Sequence, residues 1–215
     1  MLRRGVLAFL IIGALGEPLR AQERFPVRLV MPTTWTSLSI GLYRLPIIFD
    51  PSSNSDWDFG SIVQFRATFE RDFQRSAALG VAATYARAPL TYDGPDCGFC
   101  DADVSMWQAL ALFRIGAGGT VRFQQVIEFA AGATGFSNFQ ARDGGRLAAG
   151  TVVDPTLSIG YGFAYAFAPS TQFTLVQEVG LMLHRRGTRP AGDESNTPTT
   201  YATRIGLRFG LGKPR

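Results

Sequence analysis

Charge is scarce in this chain. Only 18% of its 215 residues are Asp, Glu, Lys or Arg, against about 25% in a typical soluble domain. The formal net charge is +4, and residues 1–21 account for a net +2 of it through Arg3, Arg4 and Arg20 against Glu17, which leaves about +2 on the remainder. That remainder has no basic stripe, which excludes a nucleic-acid partner. Cysteine is reduced to Cys97 and Cys100. One pair cannot make a disulfide framework, and without further ligands it makes no structural zinc site. Past the N-terminal segment there is no run of about 18 apolar residues, so no transmembrane helix is available.

What the chain has in quantity is alternation. In "PTLSIGYGFAYAFA" (155–168) the bulky residues Leu157, Ile159, Tyr161, Phe163, Tyr165 and Phe167 alternate with Thr156, Ser158, Gly160, Gly162, Ala164 and Ala166. Period two is that of a β-strand, whose side chains point to opposite faces in turn. In a soluble barrel the second face would be charged or polar toward water. Here it is small, and the bulky face is aromatic, which fits lipid outside and a crowded interior within.

The first residues, "MLRRGVLAFLIIGALGEPLRAQ", place Arg3 and Arg4 before an apolar run from Gly5 to Leu15. Residues 1–21 are expected to be a cleaved signal peptide, cut after Ala21 or after Gly16. No Cys lies near either site, which argues against a lipid-anchored N-terminus. Residues 22–32 are left unassigned, because Pro26 and Pro32 bracket their brief alternation. Residues 33–215 are expected to form one domain.

Eight strands are predicted, at about 34–44, 58–70, 75–86, 103–114, 120–132, 155–167, 171–183 and 200–211. Most have the length a tilted strand needs to cross a bilayer, about 9–11 residues. The connections alternate in length. "RDFQ", "IGAGG" and "APS" are tight turns, while 45–57, 87–102, 133–154 and 184–199 are long and rich in turn formers. Further strands repeat the facing pattern: Tyr201, Thr203, Ile205, Leu207, Phe209 and Leu211 share one face, as do Phe59, Val63, Phe65 and Phe69. The predicted fold class is all-β, an eight-stranded antiparallel up-and-down transmembrane β-barrel.

Over about residues 33–212 the chain resembles the small eight-stranded bacterial outer-membrane barrels, the broad class of the OmpA membrane domain and OmpX. The resemblance lies in architecture, and it implies an outer-membrane location with the short turns on the periplasmic side. Members commonly end on an aromatic residue that serves assembly. This chain has Phe209 but ends "LGKPR", a departure from that pattern.

An eight-stranded barrel is filled by its own side chains. The charges predicted to point inward are Arg66, Glu70, Arg114, Arg122, Glu128, Glu178, Arg204 and Arg208. They should form an ion network, with five arginines against three glutamates. Their location on the lipid face would cost about 2–4 kcal/mol each at the bilayer midplane. Cys97 and Cys100, in "CGFC" within a long loop, should form a local disulfide in an oxidising compartment. His184, in "LMLHRRGTR", has no serine two residues on and reads as an interfacial surface residue rather than a catalytic base. Asp50, Asn54, Asp56 and Asp58 lack the Gly and Glu of an EF-hand loop and read as a solvated loop. "GAGG" at 116–119 is a hairpin turn. No catalytic residue, cofactor or metal is expected.

The function expected is structural or surface-interacting, with membrane lipid as the surroundings, lipopolysaccharide within reach of the outer loops, and a monomeric state. Three alternatives remain open at this point: a narrow passive channel for small solutes, an outer-leaflet lipid-modifying enzyme, and a soluble exported barrel with an internal ligand.

Overall fold

A computed structural model describes residues 32–74, 76–116, 122–145, 147–184 and 197–212. The signal-peptide segment 1–21, most of the unassigned 22–32, and most of the 184–199 connection lie outside the described residues.

The described chain is all β. The strands are β1 (Thr34–Arg44), β2 (Ile48–Asp50), β3 (Ser55–Phe59), β4 (Ile62–Gln74), β5 (Ala77–Gly94), β6 (Gly98–Ile115), β7 (Phe123–Ala141), β8 (Val152–Ala168), β9 (Thr171–Met182) and β10 (Thr199–Leu211). Eight of them close into an antiparallel barrel in the order β1, β4, β5, β6, β7, β8, β9, β10, back to β1. Closure pairs the first and last strands from Thr34↔Leu211 to Arg44↔Tyr201. A closed barrel has no open edge, so every strand satisfies its backbone groups on both sides, as a lipid environment requires.

The exterior carries Leu38, Ile40, Phe65, Leu79, Val81, Leu157, Ile159, Val179, Ile205 and Leu207, all exposed. Leu157, at 57% exposure, belongs to the face on which a water-soluble barrel would place polar groups. An apolar belt of this extent is lipid-facing. The small residues of the opposite face leave room for neighbouring stems. A Cβ at Gly41 would lie 2.7 Å from Arg204 Cγ, and one at Gly80 would lie 2.9 Å from Glu70 Cγ.

At the end bearing the long connections, the wall differs from the sequence expectation. The segment 87–102 is not a loop: β5 and β6, 18 residues each, continue as a ladder to Gly94↔Gly98. β7 runs to Ala141, nine residues past its predicted end. Within 45–57, β2 and β3 form a hairpin, and β3 pairs with the upper part of β5 from Asp56↔Asp93 to Phe59↔Leu90. The tall side β3–β5–β6–β7 therefore rises as a collar above a lower wall, where β1 and β9 have only 11 and 12 residues.

The break between β3 and β4 at Gly60–Ser61 also changes facing. Phe59 is buried at 7% exposure, while Val63, Phe65 and Phe69 face outward. Strict alternation had placed all four together. Two residues outside the ladder reset the phase of the strand, because side chains alternate only while the pairing is continuous.

Candidate functional site

The barrel interior is layered. Nearest the short turns lies an ionic layer built from inward positions of five strands. Glu70 of β4 accepts from Arg114 of β6 at 2.9 Å and from Arg208 of β10 at 3.0 Å. Arg114 also reaches Glu128 of β7 at 2.5 Å. Glu128 is shared with Arg204 of β10 at 2.7 Å, and Arg204 continues to Glu178 of β9 at 2.6 Å. Arg66 of β4 closes on Glu178 at 3.2 Å. Arg208 stacks on the Trp35 ring, 4.2 Å from its centre, and lies 3.6 Å from Asp72. Trp35 Nε1 donates to Asp72 at 3.0 Å.

Seven of the eight inward charges expected from the sequence are brought together here. Arg122 is not: it is exposed, in the segment just before β7. The phase of the strand is lost before Phe123, so a position extrapolated past the strand start has no assured face. Asp72 was missed, because it lies in what reads as the turn "RDFQ". With Arg122 out and Asp72 in, Arg66, Arg114, Arg204 and Arg208 balance Glu70, Asp72, Glu128 and Glu178. That balance removes the surplus of positive charge implied by the sequence, and an unpaired buried ion would cost several kcal/mol.

Above the ions comes a hydroxyl and amide layer. Gln108 Nε2 donates to Thr134 Oγ1 at 3.1 Å, and Thr134 exchanges a hydrogen bond with Thr156 at 2.8 Å. Higher still, within the collar, the interior becomes apolar and aromatic: Tyr43, Ile48, Trp57, Ile62, Met106, Phe136, Phe139 and Met182 are buried together. Trp57 is fully buried, with its ring 4.7 Å from Phe139 and 5.9 Å from Phe136. Burying a large aromatic side chain contributes about 1.5–3 kcal/mol. The lumen thus holds a charged layer below and an aromatic layer above.

A polar cluster sits inside this apolar end. His184, expected at the surface, is buried with 4% exposure. Its Nδ1 lies 2.7 Å from Asp154 Oδ2 on β8, and its Nε2 lies 3.9 Å from Asp50 Oδ1 on β2. Trp57 packs against the imidazole at 5.6 Å. Asp50, read as part of a solvated loop, is buried too. It organises the β2–β3 turn by accepting from Ser52 N at 3.1 Å, Ser52 Oγ at 2.7 Å and Ser53 Oγ at 2.6 Å. Burial raises the Asp50 carboxyl, but hydrogen bonds from Ser53 and Ser52 and the nearby His184 outweigh it and hold it below its ordinary value. Sequence could not join these residues, since Asp50, Asp154 and His184 come from three different connections. The one available signal was a "DPSSNS" stretch of the kind that builds Asx turns.

An Asp–His pair of this geometry can hold and move a proton. For nucleophilic catalysis a hydroxyl would have to reach His184 Nε2. That atom has no hydrogen-bond partner among the described residues, and the Ser53 hydroxyl is turned to Asp50 and Ser55.

Cys97 and Cys100 lie at the tip of the β5–β6 hairpin in a disulfide, with Cα atoms 6.0 Å apart. Asp56, Asp58, Asp93 and Asp101 occupy the outer face of the collar.

No protein-family model matches the sequence, and a search of curated proteins returns no match. Solved structures do match in fold. The chain is similar to Neisserial surface protein A, with a TM-score of 0.54 and 9% identity over 83% of this chain and 97% of that one. It is similar also to the outer membrane protein OprG of Pseudomonas aeruginosa, with a TM-score of 0.53 and 15% identity over 85% of this chain and 98% of that one. The fold is that of the small outer-membrane β-barrels.

Proposed function

We propose that this chain is a bacterial outer-membrane barrel with a sealed lumen, acting as a structural element of the envelope and presenting its collar as an interaction surface. The observation that carries this reading is the double obstruction of the lumen, a neutral ion network below and the Trp57 layer above. A solute would have to break buried ion pairs to pass, at a cost of about 3–5 kcal/mol for each pair opened. The collar supports the surface role, because β3, β5, β6 and β7 extend beyond the apolar belt and carry a hydrophilic outer face. Export by the 1–21 leader, a monomeric state, and contact of the collar with lipopolysaccharide belong to the same reading.

The test is reconstitution of the full chain in planar lipid bilayers, alongside membrane fractionation. A protein that fractionates with the outer membrane, migrates faster on gels when unheated, and shows no steady ion conductance agrees with the reading. A sustained single-channel conductance would replace it with the narrow-channel alternative. Recovery of the folded chain in the soluble periplasm would overturn the membrane assignment itself.

A further inference from the structure

We propose that Asp154, His184 and Asp50 form a proton-operated clasp that fastens the β2–β3 hairpin, and with it the edge of the collar, to the low wall of the barrel mouth. Among the described strands, β2 is the terminal one of the sheet and pairs with β3 alone. Its inner face must therefore be secured by side chains. Ile48 is buried in the aromatic layer, and Asp50 points across the mouth at His184, which follows the end of β9.

The geometry distinguishes the two states of the imidazole. Neutral histidine has one N–H. With Nδ1 2.7 Å from the Asp154 carboxylate, that proton is committed to Asp154. Nε2 then offers only a lone pair toward Asp50 Oδ1 at 3.9 Å, and it is buried without a hydrogen-bond partner among the described residues. Two acceptors then face each other across this gap. Protonation places an N–H on Nε2. The imidazolium then donates to both carboxylates, and the remaining gap is about 1 Å longer than a charge-assisted hydrogen bond of about 2.7–2.9 Å. The ionisable groups facing His184 among the described residues are Asp154 from β8 and Asp50 from β2, while β3 contributes the Trp57 ring.

The sign follows. The bridge is present when His184 carries its second proton, and it is lost as pH rises and that proton leaves. Acid therefore tightens the mouth. The hairpin also holds Trp57 in place, so release of the clasp loosens the aromatic layer. This consequence rests on the sealed-lumen reading, but the hairpin's own behaviour is measurable whether or not the barrel conducts.

The experiment is hydrogen–deuterium exchange of the full chain refolded in phosphatidylcholine vesicles, at about pH 5.5 and about pH 8, either side of the ordinary histidine range. Rates are corrected for the intrinsic pH dependence of amide exchange, with residues 156–167 of β8 as internal reference. Protection of residues 48–57 should be about tenfold or more greater in acid, as one added hydrogen bond to a charged group implies. His184→Gln, which keeps a donor but cannot gain a charge, should abolish this gradient, and Asp50→Asn should flatten it. Equal protection at both pH values, protection falling in acid, or a gradient that persists in His184→Gln would overturn the clasp. Should His184→Gln fail to fold, the Asp50→Asn comparison decides by the same criterion.

Discussion

Arg204 holds the ion network together, and Arg204→Met is the substitution that probes it. In the native barrel its Nη2 reaches Glu128 at 2.7 Å and Glu178 at 2.6 Å. Methionine fills much of the same volume and removes the charge. Glu178 is left with Arg66 at 3.2 Å, Glu128 with Arg114 at 2.5 Å, and the layer carries one uncompensated negative charge. Two charged hydrogen bonds are worth about 1.5–3 kcal/mol each, and breaking a buried pair from one side costs about 3–5 kcal/mol. The variant should therefore lose about 3–5 kcal/mol. Glu178→Gln added in the same chain restores neutrality, so the double variant should be more stable than the sum of the singles by about 1–3 kcal/mol. The assay is reversible urea unfolding in lipid vesicles, followed by tryptophan fluorescence and by unheated gel mobility. A single variant within about 1 kcal/mol of the native chain, or strictly additive effects in the double, would refute the view that these ions form one buried, mutually balanced network.

Three further outcomes are expected. Phe163 lies on the outer face and stacks on Phe123 with ring centres 5.3 Å apart. Phe163→Leu should cost under about 1 kcal/mol in vesicle unfolding, whereas Phe163→Arg should cost about 2–4 kcal/mol at the midplane. Its neighbour Gly162 behaves oppositely: a Cβ there would run into the Leu175 carbonyl oxygen, so even Gly162→Ala should reduce the folded fraction, and an unimpaired Gly162→Lys chain would invert the barrel's inside and outside. Intact, unreduced protein should show negligible thiol labelling at Cys97 and Cys100, and the Cys97→Ser/Cys100→Ser chain should lose little stability because the closed loop is short; two freely labelled thiols would contradict this.

The sequence by itself determined the barrel. Alternation with a small second face is a local property, readable strand by strand, and it dictates β structure between lipid and a filled interior. The tight turns set strand order and direction, and β1 was predicted at its observed bounds, Thr34–Arg44. The inward charges were legible for the same reason, since parity along a continuous strand assigns a face. Parity failed wherever the ladder was interrupted or had not begun, at Phe59 and at Arg122. The tertiary structure alone decided the outer end. Turn-forming residues such as those of "YDGPDCG" mark where a chain can bend, but whether the flanking segments pair depends on a partner strand far along the chain. Hence β5 and β6 continue to the tip of a hairpin that composition had rendered as loop. The His184 cluster was hidden for a stronger reason. Its members are separated by 104 residues between Asp50 and Asp154 and by 30 between Asp154 and His184, and only closure of the barrel brings those three connections to one mouth.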